Sequence, residues 1–180
     1  MVICFLIHTV CPVSALSAGE SRILYARVFG PETGAGKFTP EQRRLMHVEK
    51  LHVLARPVRS AVAQSREASG GLSDSGVFSL GNAELFPERS LVLWLEVQSL
   101  AFTLLCRPHE NLLLAEGGLR NIARHCLEEL RLLGPGAEVL LKSDRVDALL
   151  HRLLPHGQLL FLNHRFDLTL DKEIASYMSK

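Results

Sequence analysis

The chain has 180 residues, 47% of them hydrophobic, and 20 Lys and Arg against 19 Asp and Glu leave a net charge of +1. That length suits one domain, and that apolar content excludes a disordered chain. The even charge leaves no broad footprint for nucleic acid or anionic membrane, so a membrane role has to come through partners or a local patch.

Val2–Thr9 is a run of β-branched residues and Phe that reads as a strand. The apolar stretch Met1–Ala18 ends in small residues like a signal peptide. However, no Lys or Arg precedes it, and His8 and Pro12 interrupt it, so it is not expected to be one. Cys11–Ser21 reads as a turn, and Arg22–Gly30 as a second strand ending at Gly30-Pro31. Pro31–Lys37 is a Gly-rich loop. A helix is expected next, with Thr39 as its cap, Pro40 at the first position and Gln42 in a capping box. Its apolar stripe is Leu45, Val48, Leu51, Leu54, Ala55, Val58, Ala61 and Val62, and Pro57 is expected to kink or end it near Arg56.

Ser65–Gly76 carries three glycines and four serines and is expected to be a flexible surface loop. Val77–Leu80 reads as a short strand. Leu91–Val97 and Leu100–Arg107 read as two strands around Gln98-Ser99, apolar enough to be covered on both faces. After a break at Pro108–Asn111, Leu112–Leu133 is the clearest helix, with Leu119, Ile122, Ala123, Cys126, Leu130 and Leu133 on one face. Gly134-Pro135-Gly136 stops it. Val139–Leu141 is short and apolar, Asp144–Leu154 is a further amphipathic helix, Leu159–Leu162 is expected to be buried, and Asp167–Met178 is a terminal helix. Strands followed by helices in the order β-β-α-β-β-β-α-α, without regular βαβ alternation, indicate an α+β fold on an antiparallel sheet.

Catalytic and metal-binding patterns are weak. Gly34-Ala35-Gly36-Lys37 sits between a strand and a helix like a phosphate loop, but Pro31 stands where the first Gly belongs and Phe38 where a hydroxyl would hold Mg²⁺. His47 and His52 are five apart on a helix and point in different directions. There is no H-E-x-x-H and no G-x-S-x-G. The four cysteines, Cys4, Cys11, Cys106 and Cys126, form no C-x-x-C pair and read as reduced thiols and small core residues of a cytosolic protein. No enzyme activity, cofactor, metal site or nucleic-acid partner is expected.

Three stretches carry a family resemblance: Phe5-Leu6-Ile7-His8-Thr9, His109 to Gly117 (HENLLLAEG) and Leu154 to Asn163 (LPHGQLLFLN), with Leu24-Tyr25 and Val28-Phe29-Gly30 between them. They resemble the sigma (small) subunits of the fifth adaptor-protein complex, within the adaptor small-subunit family. The resemblance covers nearly the whole chain outside Ser65–Glu88. It implies a longin-like α+β fold, a five-stranded antiparallel sheet with helices on both faces, as a single domain over 1–180.

It also implies a non-catalytic subunit of a heterotetramer with large zeta-type and beta-type chains and a medium mu chain. Spatacsin and spastizin are the implied associated proteins. The implied place is cytoplasmic, peripheral on late endosome and lysosome membranes in vesicle-mediated transport, with membrane contact only through the complex. Related sigma chains help bind acidic dileucine sorting signals. Carried over by position, Ser21-Arg22 matches the family's early second-strand pattern, and Leu100, Ala123 and Val139 fall nearest the apolar lining. The rival reading of the same residues, ordinary strand-end charge and core packing, is favoured by the Gly and Pro beside Val139. Leu133–Val139 is rich in Gly and Pro, unlike other sigma chains, and Leu95-Glu96 stands near where a double-basic pair is usual. The alternative reading is a longin-like subunit of a tether or SNARE-regulating complex.

Overall fold

A computed structural model describes residues 1–10, 21–29, 40–68, 75–81, 89–128, 137–161 and 164–178. Five strands, β1 (Val2–Thr9), β2 (Ile23–Val28), β3 (Ser75–Leu80), β4 (Ser90–Val97) and β5 (Leu100–Cys106), form one sheet in the order β2-β1-β5-β4-β3. Every neighbouring pair is antiparallel. Strands β1, β4 and β5 are apolar at nearly every position because both sheet faces are covered.

Alternation along each strand divides the core in two. Phe5, Ile7, Leu93, Leu95, Phe102 and Leu104 point to one face. Leu6, Val92, Trp94, Ala101 and Leu105 point to the other. On that second face lies α1 (Pro40–Ala68), through Leu51, Leu54, Ala55, Val58 and Val62. The first face is covered by α2 (Leu112–Glu128), α3 (Ala137–Leu141), α4 (Ser143–Leu153) and α5 (His164–Met178). Among the described residues this is a three-layer arrangement with one helix on one side and four on the other, the expected longin-like α+β fold.

Helix α1 runs through Pro57 without ending, so of the kink or end expected near Arg56 the end does not occur. Proline there removes the bond to the Val53 carbonyl. Val53 is exposed and Pro57 only half-buried, so water can satisfy that carbonyl. Core contacts on both sides of Pro57, from Leu54 and Ala55 to Val58 and Val62, favour continued helix. The apolar stripe starts later than expected, because Leu45 and Val48 are exposed. The expected loop over 65–76 has helix at its start, through Ala68, and strand at its end, from Ser75. Residues 69–74 lie outside the described residues, as do Thr39, Leu130, Leu133 and the Gly-Pro-Gly stop.

Helix α2 begins where Asn111 caps it: the Asn111 Oδ1 accepts from the Leu114 amide at 3.1 Å. Ala115, Leu119, Ile122, Ala123 and Cys126 then bury against the sheet. After α4, the Pro155–Gly157 turn brings Gly157 to φ 78° against the start of β1. A Cβ there would stand 2.7 Å from the Val2 carbonyl oxygen and from Phe29 Cβ, so only glycine fits. Leu159 and Leu160 are half-buried and Phe161 is 86% exposed, which corrects the expectation of a buried run. Leu159 packs against the edge of the core, with a methyl 3.3 Å from where a Gly118 Cβ would stand.

Candidate functional site

The structure joins two of the four candidate residues through Thr9. The Arg22 amide donates to Thr9 Oγ1 at 3.0 Å, and the Thr9 amide donates to the Arg22 carbonyl at 3.0 Å. Across the sheet Thr9 is the register partner of Leu100. Arg22, Thr9 and Leu100 therefore form one row over the adjacent ends of β2, β1 and β5. Nothing in the linear sequence marks Thr9, since the pairing depends on how residues 91 positions apart meet.

The side chains of that row have different environments. Arg22 is exposed, and its guanidinium has no hydrogen-bond or ion-pair partner among the described residues. Ser21 beside it is buried. Leu100, Ala123 and Val139 are 2%, 1% and 0% exposed and belong to one apolar cluster on the multi-helix face of the sheet. Helix α3, which carries Val139, packs against β2. In this arrangement the apolar side chains fill one another's space, and an incoming leucine has to displace something to reach them.

Ion pairs fix the helices around this cluster. Tyr25 Oη and Arg27 Nη1, both from β2, share Asp147 Oδ1 on α4, the arginine at 2.8 Å. Burial, then the adjoining Asp147 carboxylate, pushes the Tyr25 hydroxyl up, so it stays a donor. Asp171 on α5 receives His125 Nε2 at 3.0 Å and Arg124 Nη2 at 3.2 Å from α2. These contacts join elements far apart in sequence, and no local motif announces them.

The remaining chemistry is quiet. Burial pushes the Cys4 and Cys126 thiols up to about 12 and, as the leading cause, Cys106 to about 11, so none is a thiolate near neutral pH. No group of three or more His, Cys, Asp or Glu that could hold a metal ion occurs among the described residues. The Gly34–Lys37 loop lies outside them. No helix among the described residues is long and apolar enough to cross a membrane.

An antiparallel five-stranded sheet between one helix and a multi-helix layer places the molecule in the longin-like class that adaptor small subunits share. A family profile described as AP-5 complex subunit sigma-1 matches residues 1–175. The human AP-5 complex subunit sigma-1 is 41% identical over 196 aligned positions, covering 98% of this chain and 98% of the human one. The mouse AP-5 complex subunit sigma-1 is 37% identical over 155 positions, covering 75% of this chain and 91% of the mouse one. The chain belongs to the AP-5 complex subunit sigma-1 family, and so is an adaptor-complex small subunit that assembles with other adaptor subunits. That family is a non-catalytic trafficking component.

Proposed function

We propose that this chain folds over 1–180 as one longin-like unit and serves as a structural wedge in a heterotetrameric adaptor acting in endosomal and lysosomal protein transport. The observation that carries the reading is the family match over residues 1–175. The implied partners are a large zeta-type chain, a beta-type chain and a mu chain, with spatacsin and spastizin associated. The implied place is the cytoplasmic surface of late endosomes and lysosomes.

A surface feature supports the wedge role. Leu113 and Phe161, 82% and 86% exposed, line a groove of about 470 Å³ that also takes in Gly117 and Gly118 of α2 and the polar side chains of Arg120, Asn121, Arg124 and Asp171. Large exposed apolar side chains within a polar rim are what a contact surface presents. On this reading the groove receives a helix of the large chain.

Co-purification under gentle conditions tests it. Large solenoid chains should accompany the wild type, and Leu113→Asp with Phe161→Asp should lose them while melting as the wild type does. Recovery of tether or SNARE-regulating subunits would overturn the adaptor reading. Undiminished recovery of the large chain by the double variant would overturn the placement of the groove.

The same unit is proposed to help bind acidic dileucine signals. Arg22 would meet the acidic side chain, and Leu100, Ala123 and Val139 the leucines. The row through Thr9, the exposed Arg22 side chain and the shared cluster of the three apolar residues support this.

A further inference from the structure

A second cation-lined cavity lies at the other end of the sheet. It measures about 600 Å³ and is lined by Met1, Arg89, Arg107, Pro108, His109 and Glu110. Strand β1 separates it from Thr9, a span of roughly 25 Å for eight residues, so it is not part of the Arg22 row. Its walls come from the residue before β4 and the turn after β5.

Among the described residues the charge in this cavity is not neutralised from within. Several described arginines meet a carboxylate: Arg27 with Asp147, Arg66 with Glu96, Arg120 with Glu116, Arg124 with Asp171. Arg89 instead donates Nε to the neutral Ser79 hydroxyl at 2.8 Å, which orients the fork and leaves its two terminal nitrogens without a partner among the described residues. The Arg107 guanidinium and the His109 ring also have no side-chain partner there. Glu110 is the one carboxylate in the lining, and its charge is taken up by the Met1 amino group.

We infer that this cavity binds a phosphate monoester on a small polyol, of the inositol phosphate kind, free or as a lipid headgroup. Two guanidinium forks and an imidazole offer more donors than the two oxygens of a carboxylate can accept, whereas a phosphate presents three oxygens and nearly two charges. The volume falls within the range of small-molecule sites. The cations in the open lining make the headgroup, rather than an acyl chain, the recognised part.

The test titrates inositol trisphosphate into the full chain, and in parallel measures flotation with phosphatidylcholine vesicles, plain or doped with a phosphatidylinositol phosphate or with phosphatidylserine. Saturable binding should weaken about tenfold in Arg107→Glu and in Arg89→Glu, as expected when a charge-assisted bond is lost. Arg56→Glu, an exposed arginine on α1, should bind as the wild type does. Arg107→Gln keeps the size without the reversed charge and should also weaken binding, which guards against misfolding by the glutamate. Binding of the soluble probe alone identifies a free ligand, and binding of both the probe and the phosphoinositide vesicles identifies a headgroup. Absence of saturable binding, equal loss in Arg56→Glu, or equal flotation on phosphatidylserine would overturn the site.

Discussion

Arg66 closes on Glu96 with two nitrogens of its fork, Nε on one carboxylate oxygen at 3.1 Å and Nη2 on the other. The same Nη2 donates to the Gln98 carbonyl at 3.2 Å. The last turn of α1 is thereby tied to the tight turn between β4 and β5, where Gln98 sits at φ 59°. Glu96 is only 9% exposed, so its charge depends on this partner. Arg66→Ala should destabilise the fold by about 1–3 kcal/mol, the cost of leaving a nearly buried polar group unsatisfied. Arg66→Lys should lose less, because it keeps the charge without the fork. Urea denaturation of the three proteins checks both, and an Arg66→Ala midpoint equal to wild type would show that Glu96 is satisfied by water.

Trp94 lies against Gly76 across the β3–β4 pair. A Cβ on Gly76 would stand 2.7 Å from Trp94 Cζ2, closer than any relaxed contact. Gly76→Ala should therefore cost about 1–3 kcal/mol by overpacking. Trp94 is the single tryptophan, so its emission reports the displacement directly. Gly81 has nothing within 4 Å of such a Cβ, and Gly81→Ala should leave both emission and stability unchanged. An unshifted spectrum in Gly76→Ala would contradict the packing of β3 on β4.

His8 is fully buried in β1 and held neutral. Its Nδ1 donates to the Thr9 carbonyl at 3.2 Å, so its Nε2 is left to accept from the Thr103 hydroxyl at 3.4 Å. Burial lowers its pKa from 6.5 to about 4. Between those values the unfolded chain binds a proton that the folded chain refuses. The contribution of His8 is thus fully present above pH 6.5 and declines as pH falls toward 4, by about 3 kcal/mol at most. His8→Asn should lower stability at every pH and flatten that part of the slope. Parallel slopes for the two proteins from pH 7 to 4.5 would show that carboxylates alone carry the acid sensitivity.

The fold was legible because its signals are local. β1, β4 and β5 announce themselves as continuous apolar runs, and α2 and α4 as stripes in the 3.6-residue period. Whether Pro57 ends α1 depends on whether water reaches the freed Val53 carbonyl, which sequence does not record. Leu159–Phe161 misled because apolarity alone does not separate a core segment from a contact surface. Arg22 could be picked out by its place before a strand, but its link to Leu100 exists only through Thr9. The cavity of Arg89 and Arg107 joins residues that are separated in sequence by two whole strands, so only the sheet register brings them together.

The dileucine proposal makes the sharpest demand on the fold. Arg22 is exposed, with no guanidinium partner among the described residues, but Leu100, Ala123 and Val139 are buried, so the peptide leucines must replace existing contacts. α3 is the element best suited to yield: it has five residues and brings Val139 against β2. An acidic dileucine peptide should therefore bind the assembled complex weakly and protect α3 differently in hydrogen exchange when bound. Arg22→Glu should weaken binding several-fold, since an exposed ion pair contributes roughly 0–1 kcal/mol and reversal adds repulsion. Val139→Ser should weaken it more, because the leucines supply the buried area. Val139 is also a core residue, so that variant's melting temperature has to be followed alongside. A fluorescence-anisotropy titration decides the matter: no binding by the wild type, or equal binding by wild type and Arg22→Glu, would remove signal recognition from this subunit and leave the wedge role standing.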